Sequence, residues 1–141
     1  MFSHIMIGTN DLSTSVAFYD AVLSCVGLHR TTKLDKVGPA GVLWQKEQNR
    51  WPQFAIRHPI NGEPASAGNG AQVSFQCSSR DAVDEAWRAA LHHGGSDEGA
   101  PGDRLVYDED FYAAYVRDPE GNKLCFLFCR EFGTGHRGHR L

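Results

Sequence analysis

The sequence lacks long apolar runs, an excess of basic residues and the signatures of several common enzyme classes. No apolar stretch is long enough to span a membrane, and the N-terminal MFSHIMIGTND has no basic segment before its short apolar run, which argues against a secretory signal. The 14 Lys and Arg residues are scattered and outnumbered by 17 Asp and Glu residues, so we expect no nucleic-acid-binding surface. A GxSxG nucleophile elbow and a strand–GxGxxG–helix fingerprint are both absent, which excludes the usual hydrolase and dinucleotide-binding sites.

Cysteine is present but without the spacing of a metal knuckle or a disulfide framework. The four cysteines are Cys25, Cys77, Cys125 and Cys129, and none of them forms a CxxC pair. Because three lie in apolar runs, we expect buried free thiols in a reducing compartment and hence a cytoplasmic protein.

The length and composition predict one ordinary globular domain. The chain has 141 residues, of which 41% are hydrophobic and 22% charged, enough to fill a single core. The last residues, GTGHRGHRL, are polar and rich in glycine, so we predict a domain over residues 1–130 and a flexible tail over 131–141.

An internal repeat organises the domain. HIMIGTNDLSTSVAFYDAVLSCVG aligns without a gap on QVSFQCSSRDAVDEAWRAALHHGG, with His4 on Gln72. In each copy a strand with alternating apolar residues precedes a helix with an apolar stripe, formed in the first by Leu12, Val16, Tyr19 and Leu23 and in the second by Val83, Trp87, Ala90 and Leu91.

The helix ends are also marked in both copies. Asn10 or Asp11 can cap the first helix, and Ser78 can cap the second with Asp81 three residues later. Gly27 and Gly95 suit the left-handed conformation that ends a helix.

Three short strands are predicted after each helix, in HRTTKL, AGVLWQK and QFAIRH and then in RLVY, FYAAYVR and KLCFLF. The segment 61–70, NGEPASAGNG, has no periodicity and is predicted to link the halves. The fold class is therefore α+β, with paired βαβββ modules over about 2–60 and 71–130. We expect a curved mixed sheet with helices on one face and a central cup on the other.

Two motifs resemble those of a known superfamily. DLSTSVAFYDAVL fits DLxxSxxFYxxxL, and DPEGNKLC fits the closing hairpin DPxGNxxE except at its last position. The chain in this respect resembles the vicinal oxygen chelate superfamily, which includes glyoxalase I, extradiol dioxygenases and bleomycin-resistance proteins. The resemblance implies a small-molecule substrate or ligand, a homodimer and a divalent metal (Zn, Ni, Mn or Fe) inside the cup.

The metal positions that the resemblance implies fall on His4, Gln72 and Cys125. Histidine suits such a site, and glutamine is a weaker oxygen ligand. Cys125 stands where the motif has Glu, and it can equally be a buried packing residue. The remaining position lies in QFAIRH, at Ala55, Ile56 or Arg57, and offers no ligand. Glu120 and Glu131 flank the last strand and are expected to face solvent.

The walls of the cup are predicted to be aromatic, with arginines available for an anionic group. The candidates for ligand contact are Trp44, Phe54, Arg57, Tyr112 and Tyr115, with Trp51, Phe111, Arg104 and Arg117 as further possibilities. Strand alternation admits either Tyr112 or Tyr115 to the cup, but not both. Two functions remain open: a glyoxalase-like lyase or isomerase that uses a metal, and a metal-free protein that binds a small molecule.

Overall fold

The computed structural model describes residues 1–33 and 38–133, without the side chains of Thr32 and Lys33. These residues form two α-helices, eight β-strands and a 3-10 helix. In chain order the elements are β1 (His4–Gly8), α1 (Leu12–Ser24), β2 (His29–Lys33), β3 (Gly41–Gln45), β4 (Gln53–Arg57), β5 (Gln72–Gln76), α2 (Arg80–His92), β6 (Ser96–Asp103), β7 (Tyr112–Arg117), β8 (Lys123–Phe128) and the 3-10 helix (Arg130–Gly133).

The α+β class and the repeated βαβββ order are confirmed. The strands form two open, mixed four-stranded sheets: sheet 1 has the order β1-β4-β3-β2 and sheet 2 the order β5-β8-β7-β6. In both, the first and last strands of the module are parallel and the others antiparallel. The predicted curved sheet is thus a pair of separate sheets, each with one face toward the helices and one away from them, which we call its open face.

One hydrophobic core runs through both modules. Tyr19 of α1 packs on Phe54 of sheet 1 with ring centres 4.9 Å apart, and Phe54 meets Phe75 of sheet 2 at 5.3 Å. Phe75 in turn stacks on Phe126. Because side chains of both sheets and both helices share this core, each module completes the burial of the other.

The first helix starts at one of its two predicted caps, whereas the second starts one residue later than predicted. Asp11 caps α1 by accepting a hydrogen bond from the Thr14 amide, as one of the two predicted caps. For α2 the cap is Ser79, which accepts from the Ala82 amide at 3.0 Å; the prediction of Ser78 was wrong. The capping box with Asp81 is therefore not formed.

The two modules also end their helices at different glycines. Gly27 has the predicted positive φ of 79°, but after α2 the left-handed residue is Gly94, with φ 93°. Gly95 is required for space: a Cβ there would lie 2.8 Å from the carbonyl oxygens of Ala90 and Arg117. The prediction of a left-handed Gly95 is corrected accordingly.

One strand was predicted in the wrong place. RLVY, residues 104–107, lies in a turn with Leu105 and Val106 exposed, and β6 is instead the preceding polar segment SDEGAPGD. β6 pairs with β7 alone, so it is an edge strand, and its register with β7 is irregular. An edge strand of this kind can hold Gly and Pro. RLVY was predicted as a strand because it is apolar. Hydrogen bonding to β7 determines which segment is the strand, and it is formed by residues 96–103 instead.

The predicted bounds of the linker and of the tail stay predictions. Residues 61–70 contain no helix or strand. Residues 131–133 of the predicted tail belong to the 3-10 helix, and the remainder of the tail and Leu34 of HRTTKL lie outside the described residues. None of the helices in the described ranges combines the length and apolar character needed to cross a membrane.

Candidate functional site

The DPEG turn of the second module is bound to the first helix of the other module. Asp118 is almost fully buried, and its carboxylate accepts hydrogen bonds from the amides of Glu120 and Asn122 and from the hydroxyl of Tyr19 on α1. Burial first, and then the Asp118 charge, raise the pKa of Tyr19 well above its ordinary value, so the phenol stays protonated as the donor. The turn motif therefore has a structural role that explains its residues.

Glu120 of the same turn lies at the beginning of α1. Its carboxylate accepts from the amide of Asn10 at 2.7 Å, from the amide of Asp11 at 3.2 Å and from the Thr9 hydroxyl at 3.0 Å. Glu120 was expected to face solvent, but it is half-buried, and its partners are about 110 positions away in the sequence.

A cavity lies on the open face of sheet 2. Strand alternation and the β5–β8–β7 register bring Ser74, Cys125 and Tyr115 side by side on this face. The cavity has a volume of about 320 Å³. It is lined by the aromatic and apolar residues Tyr107, Phe111, Tyr115 and Leu127, by the polar residues Gln72, Ser74, Glu98 and Lys123, and by Cys125. We call it the sheet-2 cavity.

Cys125 is the most deeply buried of the residues that line this cavity. Only 1% of its surface is exposed. Burial raises the pKa of its thiol, and hydrogen bonds with Ser74 and Tyr115 and the charges of Arg104 and Lys123 act in the opposite direction without cancelling that effect. The thiolate, the form that binds metals and attacks electrophiles, is therefore disfavoured at neutral pH.

Gln72 and His4 lie at different places in the fold. Gln72 lines the sheet-2 cavity and its amide nitrogen donates to the Ser74 hydroxyl at 3.0 Å. His4 lies on sheet 1, where Nδ1 is 2.9 Å from the Ser3 hydroxyl and the ring is 6.2 Å from the Trp51 ring. Of the three implied ligands, the structure thus brings together Gln72 and Cys125 but not His4.

His4 borders a separate groove between the two sheets, which we call the edge groove. It has a volume of about 500 Å³. Its apolar walls include Phe2, Ile5, Leu28, Phe54 and Val73, and Lys46 and Ser74 are among its polar residues. Ser74 is shared with the sheet-2 cavity, so the two lie on neighbouring sides of β5.

Of the residues predicted to contact a ligand, Tyr115 lies on the open face of sheet 2 and Tyr112 does not. The Tyr112 hydroxyl donates to Asp84 on α2 at 2.6 Å, and the Arg80 guanidinium lies 4.8 Å from its ring centre. The alternation predicted that one of the two tyrosines would be excluded, and Tyr112 is the excluded one because its neighbours in register face the helix. Its assignment to the cup is corrected.

Trp44 and Phe54 belong mainly to the core. Trp44 has no exposed surface, and its indole nitrogen donates to Asp20 on α1 at 3.0 Å, so its placement on the cup wall is corrected. Phe54 is 2% exposed and is one of the residues that line the edge groove. The two rings share a face because Trp44 and Phe54 are partners in the β3–β4 register.

Arg57 is half-buried on sheet 1. Its guanidinium donates to the carbonyl of Pro39 at 2.8 Å, which ties β4 to the loop before β3. It borders neither the sheet-2 cavity nor the edge groove. Its role as a ligand-binding residue stays a prediction.

Two basic residues of the second module lie beside Tyr115. The Lys123 amine is 5.4 Å from the centre of the Tyr115 ring, and the Arg104 guanidinium carbon is 5.7 Å from it. The sequence pattern already contained a signal for Lys123 and Ser74, since they alternate in step with Cys125 and Gln72 on their strands. Neither was predicted to contact a ligand, because neither is a typical metal ligand or an aromatic residue.

Within residues 1–33 and 38–133, one group of His, Cys, Asp and Glu donors is close enough to share a metal ion. It consists of Asp108, Cys129 and Glu131, whose donor atoms all lie within 4.8 Å of one another. Asp108 and Glu131 are exposed, while Cys129 is buried. None of the three is a position implied by the family resemblance, so the group does not support the predicted His4, Gln72 and Cys125 set.

Comparison with known proteins gives a consistent family. A sequence model of the Glyoxalase/Bleomycin resistance protein/Dioxygenase superfamily matches residues 1–126. A crystal structure of a glyoxalase/bleomycin resistance protein from Albidiferax ferrireducens is 37% identical, with a TM-score of 0.78, over 92% of this chain and 98% of that one. A comparison with curated proteins gave no match.

More distant structures share the fold alone. A glyoxylase/bleomycin resistance protein/dioxygenase domain from Frankia is 13% identical, with a TM-score of 0.71, and covers 92% of this chain and 98% of its own. The fosfomycin resistance protein FosX from Listeria monocytogenes is 15% identical, with a TM-score of 0.64, and covers 92% and 93%.

Proposed function

The chain belongs to the Glyoxalase/Bleomycin resistance protein/Dioxygenase superfamily, and from this premise we propose that it binds a small molecule in the sheet-2 cavity. The shared fold hosts both enzymes and binding proteins, so the choice between them depends on the residues of the site. The observation that carries the proposal is the cavity itself, which joins an aromatic wall to a few convergent polar groups.

The cavity has the size and chemistry of a small-molecule site. Its volume of about 320 Å³ suits a ligand of modest size. Tyr107, Phe111 and Tyr115 offer apolar surface, while Gln72 and Ser74 offer hydrogen bonds that fix an orientation. This combination supports recognition of a specific compound.

The residues of one chain do not fit the divalent metal that the resemblance implies at this site. Cys125 is a protonated, closed-off thiol and Gln72 is bound to Ser74, while His4 borders a different cavity. A catalytic metal normally has three protein ligands and an open position. Ligand binding without a metal is therefore our first proposal, and no reaction step is assigned to a metal.

A glyoxalase-like lyase or isomerase is the second candidate. It is favoured by the exposed imidazole of His4, whose Nε2 has no hydrogen-bond partner among the described residues. The metals we would test are Zn, Ni, Mn and Fe. Elemental analysis of the purified protein and of His4→Ala decides between the candidates: near-stoichiometric metal that the variant loses would overturn metal-free binding.

We further propose a cytoplasmic homodimer. All four cysteines are free thiols, as a reducing compartment requires. β1 and β5 are edge strands of the two sheets, and apolar surface is exposed by Ile5 and Met6 of β1 and by Phe2 just before it. Burial of this surface against a second copy would stabilise a dimer. Sedimentation equilibrium tests it: a monomer at all concentrations would contradict the proposal, and Met6→Glu should weaken the dimer.

The binding proposal is tested with a fragment library that contains neutral, cationic and anionic compounds. Binding is followed by amide chemical shifts in uniformly labelled protein. We expect ligands that shift the amides of Ser74, Tyr115 and Cys125 together. A library that yields no ligand at these residues would contradict the proposed function.

A further inference from the structure

The sheet-2 cavity has an excess of positive charge. The Lys123 amine lies beside the cavity and close to the Tyr115 ring, and the Arg104 guanidinium lies near the same ring. Arg104 donates to the backbone carbonyl of Ala100 at 2.8 Å, a neutral acceptor that orients the guanidinium without cancelling its charge.

The acidic residue that lines the cavity is already neutralised. Among the described lining residues the acid is Glu98, and its carboxylate accepts a hydrogen bond from Arg117 at 2.7 Å in an ion pair. The Glu98–Arg117 pair has no net charge, so Lys123 and Arg104 decide the sign of the potential in the cavity.

Two groups at the cavity respond to this potential. At Cys125, burial raises the pKa of the thiol, and the charges of Arg104 and Lys123 both act to lower it. At Tyr115, burial again raises the pKa of the phenol while Arg104 acts to lower it. Both responses have the sign that positive charge produces on an acid, so positive charge acts on the Tyr115 wall and on the buried Cys125.

Building on the proposed function, we infer that the sheet-2 cavity binds a small organic anion. Its acidic group meets Lys123 in the field of Arg104, and its flat apolar part lies along Tyr107, Phe111 and Tyr115. Gln72 and Ser74 add neutral hydrogen bonds. The positive charge that a metal would bring to this cup is here supplied by side chains.

The inference is tested with three compounds that share a ring system and differ in charge. The probes are 2-naphthoate, the neutral 2-naphthamide and the cationic 2-naphthylmethylamine, titrated into labelled full-length protein. We expect 2-naphthoate to bind at least about tenfold more tightly than either other probe, because two cations attract its carboxylate. Its shifts should centre on Ser74, Tyr115 and Lys123.

Variants of the two basic residues complete the test. Lys123→Gln and Arg104→Gln should each weaken 2-naphthoate binding by about tenfold and leave 2-naphthamide unchanged, while Lys123→Arg should retain most of the affinity. Lys46→Gln is the matched control, since Lys46 borders the edge groove and should have no effect. An equal loss in Lys46→Gln would reveal unspecific anion attraction and overturn the inference.

The outcomes separate the inference from the proposed function. If 2-naphthamide or the amine binds in the cavity as well as 2-naphthoate does, the cavity does not select anions, and the inference fails while small-molecule binding stands. If 2-naphthoate does not bind, the inference fails. If, in addition, the fragment library gives no ligand at this site, the proposed function fails with it.

Discussion

Replacing Glu120 by Gln should destabilise the protein by about 1–2 kcal/mol at neutral pH. The carboxylate accepts four hydrogen bonds from the start of the first module's helix: from the amides of Asn10 and Asp11, from the Thr9 hydroxyl and, at 3.0 Å, from the Asn10 side-chain amide. Gln can still accept at one oxygen, but it brings no charge to the helix N-terminus. Its amide nitrogen would also face the Asn10 amide, so that two donors meet.

The size of the effect follows from the charge of the acceptor. A hydrogen bond to a charged group contributes about 1.5–3 kcal/mol and a neutral one about 1, and partial exposure to solvent reduces the difference. For a domain of this size, the expected cost corresponds to a melting temperature lower by about 3–8 °C.

The pH dependence provides a second, independent readout. Burial alone would raise the pKa of Glu120, but hydrogen bonds from Asn10, Thr9 and Asp11 hold it below its ordinary value of 4.5. A depressed pKa means that the stabilisation is complete above 4.5 and is lost as the pH falls through the folded-state pKa. The stability gap between wild type and Glu120→Gln should therefore shrink as the pH is lowered below about 4.5.

Urea unfolding of wild type and variant across this pH range measures both effects. Glu63→Gln, a change at an exposed acid in the 61–70 loop, controls for the loss of one negative charge. A double-mutant cycle with Asn10→Ala should give a coupling energy of at least about 0.5 kcal/mol. If Glu120→Gln matches wild type at neutral pH, or if its deficit is independent of pH, the role assigned to this carboxylate is wrong.

Three further predictions concern individual side chains. Tyr19→Phe removes a donor from the buried Asp118 carboxylate and should cost about 1–3 kcal/mol in urea unfolding, whereas an effect below about 0.5 would mean that water replaces the hydroxyl. Cys125→Ser should cost about 1 kcal/mol and leave the metal content unchanged by elemental analysis; loss of a bound metal would instead show that the thiol is a ligand. Tyr112→Phe breaks only the bond to Asp84 and should leave 2-naphthoate affinity unchanged, and a tenfold loss would place Tyr112 in the cavity after all.

The repeat and most strands could be predicted because their signals are local. Alternation in HIMIG and QVSFQ and the helical stripes after them depend only on near neighbours in sequence, and a strand and a helix formed at each of these places. Burial alternates in QVSFQ but not in HIMIG, where both Ile5 and Met6 are exposed. β6 could not be predicted in this way, because SDEGAPGD has no apolar pattern and becomes a strand only through its pairing with β7. Its edge position removes the need for a buried face.

The site was harder to predict because it depends on register and on distant contacts. Alternation within β7 restricted the cup to one tyrosine, but only the pairing of Tyr115 with Cys125 shows which. Trp44 has the residue type of a cup wall, and its register with Phe54 turns it into the core instead. Glu120 gave no local signal at all, since every acceptor contact it makes is with the other module.

The bonds of the DPEG turn also have a consequence for how the molecule opens. Asp118 and Glu120 belong to the second module, and through Tyr19 and Asn10 they fix the helix of the first. Separation of the two modules would break these hydrogen bonds and the shared aromatic contacts at once. Unfolding of one module would therefore also destabilise the other. Native-state hydrogen exchange should therefore show the central strands of both sheets opening in one cooperative step, as a single unit of unfolding rather than two.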